Sequence, residues 1–487
     1  MQKRLLAALL ALIMSACAVS ACGEAAPAPS GGNPGGALAG TPETEAETTT
    51  PIIDEITAGA NLGGRDFNIG YSIQYDFNEV DFDEETGDII DDAVYQRNRL
   101  AEDKLGIKII GTNMCSWTDI LSTMQKMMQS GDCPYDAVCA SAWFMYQSSV
   151  NGYLYDLYTI DSLGLEHDWW DKETLGMYSF GSKNLYFVSG DINYTDNLAM
   201  AIVCFNKKIA DSIGYEYPYQ QVRDGTWTLD RMIEMTHSYG SDVDGDGKLT
   251  TSDTFGFCDN QGVINRLINS AGITVIEVDS EGTATLNQSE KLVNLIDKVR
   301  EGLTAKSVTT SAIVSHGFND PEITDMFDNG QIFVSMHEQV NQLFRMRQKT
   351  VDDFGVIPTP KYDENQDKYY TFFSTAAGSC YAVPITNTDL QSTGLILDVM
   401  GYYSQDTITP AVIDRSVMGK GTRDTESEEM LKLIFTTKIF DLGMWGSDVY
   451  GDVLGFIDNA KVASTLEKSA KKVPKQFEII KEFYTFG

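Results

Sequence analysis

DNGQIFVSM at 328–336 and DFGVI at 353–357 carry the reading of the fold. Each sets a short apolar run behind a polar turn, and a stretch of mixed polarity separates the two. IFVSM (332–336) and FGVI (354–357) are of strand length, and similar runs recur at FNIGY (67–71), IKII (107–110), YDAVC (135–139), LYFV (185–188), AIVCF (201–205) and CYAV (380–383). The intervening stretches have helical spacing. Ile120, Leu121, Met124, Met127 and Met128 fall on one face and read as core packing. Leu292, Leu295, Ile296, Val299 and Leu303 do the same behind a candidate cap at Ser289. In TESEEMLKLIF (425–435), Thr425 and Glu428 fit a capping box. Strand-length runs alternating with amphipathic helices predict an α/β architecture.

Working outward, GTWTLDRM (225–232), DNGQIFVSM (328–336), DFGVIPTPKYDENQDKYY (353–370), CYAVP (380–384) and RDTESEEMLKLIF (423–435) follow one another in that order. Together they resemble the family 1 extracellular solute-binding proteins, the receptors of ABC sugar importers. ETGDIIDDAVYQRNRLAEDKLGI (85–107) is similar to the first helix of members from anaerobes. The resemblance covers roughly 62–487 and implies a two-lobed, periplasmic-binding-protein-like (type II) α/β fold with the ligand in an interlobe cleft. Carried onto this chain, it implies a first lobe of 62–198 plus 377–415 and a second of 199–376 plus 416–487. The chain would cross between them near Asn197–Cys204 and again near Phe373–Tyr381. The implied function is capture of a mono- or oligosaccharide, as a monomer, for delivery to an ABC permease. A peptide or another polar solute is the alternative ligand.

The amino terminus fits an exported protein. Lys3 and Arg4 precede an apolar run from Leu5 to Met14, too short to span a bilayer but suited to a signal peptide, assigned to 1–21. The run leads to VSAC (19–22), which resembles a lipobox and marks Cys22 for diacylglycerol. Cys17 follows Met14-Ser15-Ala16 and is a poorer candidate. Residues 22–61 are rich in Pro, Gly, Ala, Ser, Thr and Glu and read as a flexible tether, reaching roughly 30 Å. The expected place is the outer face of a bacterial cytoplasmic membrane, with lipid as the only membrane contact.

Composition narrows the partners. A net charge of −34 opposes binding to nucleic acid or anionic lipid. Cys115, Cys133, Cys139, Cys204, Cys258 and Cys380 include several inside apolar strand-like runs, so mostly free core thiols are expected. No CxxC pair, GxSxG elbow, HExxH, P-loop or dinucleotide glycine fingerprint occurs, so no catalytic residue is assigned and no enzyme is expected. The rival class is a secreted glycosidase, which needs two carboxylates about 5–10 Å apart. An adhesin would be expected to show repeats, and none is visible.

One motif points to a metal. DVDGDGKLTTSD (242–253) matches the calcium-loop template, with Asp242, Asp244 and Asp246 as ligands and Gly247 at the turn. Lys248 would contribute its backbone carbonyl, Thr250 would hold the ninth position, and Asp253 would close the loop where glutamate is usual. TFGF, which follows, reads as a strand, so a lone bracing calcium site is expected and not a sensor hand. A helix over Leu229–Tyr239, capped by Thr228, precedes the loop.

Sugar sites combine aromatic faces with polar hydrogen-bonding groups, and ligands of open α/β sheets sit beyond strand carboxyl ends. That rule selects Tyr75, Trp143, Tyr146, Tyr194, Asp196, Asn197, His337 and Glu338, with Trp445 on a late loop. Trp227 sits beside a helix cap and is expected in the core. Trp169 and Trp170 are adjacent, so they are expected to face different ways with one buried.

Overall fold

The structure is a computed structural model; it describes residues 51–487 except 74–76, 180–182, 248–249, 259–261, 282, 304–320, 337–338, 417–421, 442, 444–450, 454–460, 476–477 and 479–487. The signal peptide, most of the tether and Cys22 therefore lie outside the described residues.

Thirteen strands are described: β1 (Arg65–Tyr71), β2 (Ile107–Asn113), β3 (Ala137–Ser141), β4 (Val203–Asn206), β5 (Gly240–Ser241), β6 (Thr254–Cys258), β7 (Ile276–Val278), β8 (Ala284–Leu286), β9 (Ile332–Ser335), β10 (Phe354–Ile357), β11 (Thr371–Phe372), β12 (Ser379–Ala382) and β13 (Lys438–Ile439). The first sheet has the order β12-β3-β1-β2, with β1 parallel to β2 and β3, and β12 antiparallel to β3. The second has the order β10-β4-β9-β6-β5, with β6 parallel to β9 and β4 antiparallel to both β9 and β10. Helices connect the parallel strands, as parallel pairing requires. One of them, Ile89–Leu105, begins at Asp88, which accepts from the Ile90 N–H, and ends at Gly106 with φ 63°. A residue there must sit in the left-handed region that glycine enters without a Cβ clash.

Register decides how the sheets are placed. Ser379 pairs with Ser141, so β12 starts where β3 ends. Cys204 pairs with Ser335, so β4 starts where β9 ends. The chain reaches β4 through Ala199–Ala201 and reaches β12 through Phe372–Ser374, and these two links run antiparallel. Met200 bridges Phe373, the Ala201 N–H donates to the Phe372 carbonyl at 3.0 Å, and the Ser374 N–H to the Ala199 carbonyl at 3.1 Å. β11 in turn pairs with β13. Each sheet thereby turns the carboxyl ends of its parallel strands toward the shared links, and the molecule has two lobes with a cleft between facing edges.

Several expectations need correction. LYFV (185–188) is not a strand; Val188 makes an isolated bridge to Tyr381, and the run is buried as core-covering chain. The tether ends earlier than residue 61, because Ile52–Ile56 is a helix with Ile53 buried and Thr57 Oγ1 donating to the Ile53 carbonyl at 2.7 Å. The late helix Thr425–Phe435 is capped by Asp424, whose carboxylate accepts from the Ser427 N–H at 2.8 Å, so Thr425 is its first helical residue. Trp169 and Trp170 are both buried, because Asp398 accepts from both indole N–H groups, at 2.9 and 3.0 Å. On the methionine helix only Ile120 and Met124 are fully buried. The six cysteines among the described residues are free thiols, as expected, four of them buried.

Trp227 behaves as expected of a core residue: it is fully buried and its Nε1 donates to the Pro358 carbonyl at 2.9 Å. Trp227→Ala should lower unfolding free energy by about 3–5 kcal/mol through the cavity it leaves. Trp227→Phe should lose less, about 1–3 kcal/mol, chiefly by leaving the Pro358 carbonyl unpaired. Denaturant titration of both variants checks the order, and equal losses would mean that the ring packing retained by phenylalanine contributes nothing.

Candidate ligand cleft

The first-lobe edge is assembled from chain ends. Tyr71 ends β1 with Ser72 directly after it, and Ser141 ends β3 and leads into the helix Ala142–Val150. That helix carries Trp143 in its first turn, where the indole is half-buried. A helix N-terminus leaves N–H groups without intrahelical partners. Here the Ala142 N–H donates to the Gly378 carbonyl at 2.9 Å and the Trp143 N–H to the Thr375 carbonyl at 3.0 Å. Ser141 Oγ also donates to Thr375, at 3.1 Å. The second link between the lobes is thus stitched onto the end of β3.

Beneath this edge lies Glu79, fully shielded within the protein. Its carboxylate accepts from the backbone N–H of Tyr194 at 2.5 Å and of Thr195 at 2.7 Å, and from Thr195 Oγ1 at 2.9 Å. Thr195 Oγ1 accepts in turn from the Ser379 N–H at 3.0 Å and shares a hydrogen bond with Ser379 Oγ at 2.6 Å. Burial pushes the Glu79 carboxyl up to about 7, against the pull of those hydrogen bonds, and the nearby Asp196 charge adds to the rise. The adjacent Arg97 guanidinium is also buried and donates to the carbonyls of Glu79, Val80 and Ile192. Ser72 Oγ, buried without a protein partner, faces a cavity of about 20 Å³ bordered by Glu79, Ser141, Thr195 and Ser379. That is room for about one water, not a sugar ring.

The sequence-selected residues divide. Trp143 stands at the first-lobe edge, and Asn197 is half-buried just before the first link. Tyr146, Tyr194 and Asp196 are corrections: all three are buried. Tyr146 packs in the core, Tyr194 Oη donates to the Asn78 carbonyl at 3.3 Å, and Asp196 forms an ion pair with the buried Lys438 at 2.5 Å. Following a strand end places a residue near the edge, but packing below the edge claims the large apolar rings. Tyr75, His337, Glu338 and Trp445 lie outside the described residues. Gln339, directly after that pair, bridges Ala201 on the first link. Sequence reasoning missed Glu79, Thr195 and Ser379, because no periodicity or motif marks a lone glutamate in NEVDF (78–82) as the tie between three chain segments.

In the acidic loop, carboxylate oxygens of Asp242, Asp244 and Asp246 lie within 4.8 Å of one another. Gly245 and Gly247, with φ 72° and 79°, give their N–H groups to Asp242. An all-oxygen donor set of this kind fits a hard divalent cation. Asp253 lies outside that group of three. Its buried carboxylate accepts from the Val243 N–H at 2.8 Å and the Thr250 N–H at 2.7 Å, with Thr250 Oγ1 at 3.4 Å. Those backbone donors hold its carboxyl below the usual range. Lys248 lies outside the described residues. TFGF is strand β6, as the sequence suggests.

No protein-family model matches the chain, and no curated protein resembles it in sequence. Solved structures do match over nearly the whole folded part. The fold is that of the ABC solute-binding proteins. An ABC substrate-binding protein from Listeria monocytogenes, in complex with cycloalternan, superposes with a TM-score of 0.53 at 14% identity, covering 87% of this chain and 100% of its own. The galacto-N-biose/lacto-N-biose I-binding protein of Bifidobacterium longum gives 0.56 at 12% identity, covering 85% and 98%. UgpB from Mycobacterium tuberculosis, in complex with glycerophosphocholine, gives 0.52 at 13%, covering 87% and 100%.

The tie at Glu79 has a pH signature. An unfolded glutamate releases its proton near 4.5, whereas the folded chain keeps it to about 7. Stability is therefore greatest below about pH 4.5 as far as this group is concerned. It falls as pH rises to about 7, by about 3 kcal/mol at about 1.36 kcal/mol per unit. In Glu79→Gln the amide oxygen can accept both N–H groups while the amide nitrogen donates to Thr195, so the tie survives without the titration. Denaturant titrations at pH 5 and pH 8 should show a larger fall for wild type than for the variant. Parallel falls would assign the pH dependence elsewhere.

Proposed function

We propose that the chain is a lipid-anchored receptor that captures a carbohydrate between its two lobes and presents it to an ABC importer. The observation that carries this reading is the pair of facing sheet edges joined by two antiparallel links, with an aromatic side chain and several hydroxyls at the first edge. The proteins of the same fold bound to cycloalternan and lacto-N-biose support a saccharide ligand. A ligand that touches both edges binds the closed form better than the open one and so shifts the population toward closure. No bond is made or broken in such a cycle, and the reading is of a binder, not an enzyme. The closed receptor is what a permease would recognise, one monomer at a time.

The ligand class is tested by thermal melting of the full mature chain with neutral oligosaccharides and with short peptides. Sugars should raise the melting temperature and peptides should not; the reverse would overturn the reading. For any sugar that binds, Trp143→Ala should weaken affinity about tenfold, since a stacked aromatic face contributes about 1–2 kcal/mol. Unchanged affinity by calorimetry would remove Trp143 from the site.

Export and anchoring rest on VSAC and the tether. Cys22→Ala should move the protein from the membrane fraction to the medium with its signal peptide processed. Retention of that variant in membranes would refute lipid anchoring. The loop at 242–253 supports calcium as a structural ion, held by Asp242, Asp244 and Asp246 at roughly 10⁻⁴–10⁻³ M, the range of extracellular modules. Calcium at about that concentration should raise the melting temperature of wild type and leave Asp244→Ala/Asp246→Ala unmoved. Equal behaviour of the two proteins would reduce the motif to an acidic turn.

A further inference from the structure

The tie at Glu79 ends in two hydroxyls whose hydrogens have only two consistent placements. Glu79 Oε1 accepts from the backbone N–H groups of Tyr194 and Thr195, at 2.5 and 2.7 Å, and Oε2 lies 2.9 Å from Thr195 Oγ1. Thr195 Oγ1 accepts from the Ser379 N–H at 3.0 Å and lies 2.6 Å from Ser379 Oγ. Ser379 opens β12, is half-buried at the first-lobe edge, and borders the same cavity of about 20 Å³ as Ser72 and Ser141. A hydroxyl has one hydrogen and two lone pairs, and an ionised carboxyl has no hydrogen to give.

With Glu79 ionised, the hydrogen between Oε2 and Thr195 Oγ1 must come from the threonine. The hydrogen between the two hydroxyls must then come from the serine, so Ser379 Oγ turns only lone pairs toward the cavity. With Glu79 protonated, two N–H donors already occupy Oε1, so the proton sits on Oε2 and points at Thr195 Oγ1. That oxygen now accepts from Glu79 and from the Ser379 N–H. Its own hydrogen therefore goes to Ser379 Oγ, and the serine hydrogen is released toward the cavity. No heavy atom has to move between the two states.

We propose that Glu79, Thr195 and Ser379 form a proton-driven relay, which makes Ser379 a hydrogen-bond donor at the first-lobe edge when Glu79 is protonated and an acceptor when it is not. The groups around Glu79 leave this choice to its own proton. Asp196, on the short helix Thr195–Leu198, opposes the ionised form but is itself paired with Lys438. Arg97, on the helix Ile89–Leu105, gives its guanidinium to backbone carbonyls and to Asn98 Oδ1. Burial holds Tyr194, Cys139 on β3, and Cys380 and Tyr381 on β12 above their usual ranges, so they stay neutral where Glu79 titrates. The Cys139 thiol also reaches Ser379, but sulfur is a weak hydrogen-bond partner. Both relay states are populated near neutral pH, since burial pushes the Glu79 carboxyl up to about 7. A group that accepts from Ser379 favours the proton on Glu79 and one that donates disfavours it, so occupancy of this edge is linked to pH. The relay holds whatever solute the cleft takes, and its test uses none.

Infrared titration of the full mature chain from pH 5 to pH 9 follows the C=O stretch of protonated carboxyl groups. Subtracting Glu79→Gln isolates Glu79 from Asp191, Asp398 and Asp441, whose carboxyls burial pushes up to about 6. The difference band should fade with a midpoint of about 7. Ser379→Ala leaves the Thr195 hydrogen without an acceptor only when Glu79 is protonated, so it should lower the midpoint by about one unit, tenfold in proton affinity. Ser379→Thr keeps the hydroxyl and should keep the midpoint. Thr195→Val removes the hydroxyl that donates to the ionised form and should raise it, whereas water entering a loosened site would lower it in both variants. If Thr195→Val does not fold, a fall in Ser379→Ala with none in Ser379→Thr is the supporting result. An unchanged midpoint in Ser379→Ala, equal shifts in Ser379→Ala and Ser379→Thr, a lowered midpoint in Thr195→Val, or no titrating band that Glu79→Gln removes would each overturn the relay.

Discussion

The antiparallel pairing of Ala199–Ala201 with Phe372–Ser374 is the constraint on which the rest of the molecule depends. Two links held side by side act as one joint. They fix which ends of the two sheets meet, and so they fix where a ligand can touch both lobes. Were either link to pair elsewhere, β4 and β12 would enter their sheets at other positions, and the carboxyl ends of β3 and β9 would no longer oppose one another. The order of strands within each sheet matters less to function than this one contact between segments far apart in sequence.

Around the joint, buried polar groups do what apolar packing cannot. Glu79 gathers the N–H groups that open the first link and, through Thr195, reaches Ser379 at the start of β12. Lys438 on β13 reaches back to Asp196 and Asp171. Asp398 holds both Trp169 and Trp170, with His167 Nδ1 beside it at 3.1 Å. An unpaired partner at any of these places would be costly because it is shielded from water, which makes each a specifier of one arrangement as well as a source of stability. Apolar contacts tolerate sliding. A carboxylate accepting three hydrogen bonds does not.

Legibility in the sequence followed the range of the interactions involved. FGVI (354–357) coincides with β10, and the helix with Leu292, Leu295, Ile296, Val299 and Leu303 buries those residues behind the Ser289 cap, since Ser289 Oγ accepts from the Leu292 N–H at 3.2 Å. Strand runs and helix faces are local patterns with fixed periods. The capping box at Thr425 shifted by one residue because Asp424 competes for the same role and sits in better geometry. LYFV (185–188) has a strand composition but meets the free edge of β12 at a single bridge, Val188 to Tyr381, and otherwise covers the core. The candidate site was less legible. Trp143 remained at the edge, whereas Tyr146 and Tyr194 were drawn into the core.

By itself, the sequence determined the alternating α/β architecture, the burial of Trp227, the acidic loop at 242–253 and the segments whose order resembles solute-binding receptors. Each depends on near neighbours along the chain, where spacing translates directly into geometry. Only the tertiary structure decided which strand ends face one another, that Glu79 ties three segments together, that Asp196 belongs to Lys438, and that the helix at Trp143 spends its first N–H groups on Gly378 and Thr375. These are meetings of residues more than a hundred positions apart, and no local pattern encodes them. They arise when a buried donor or acceptor must find a partner, and the folded chain supplies only one within reach.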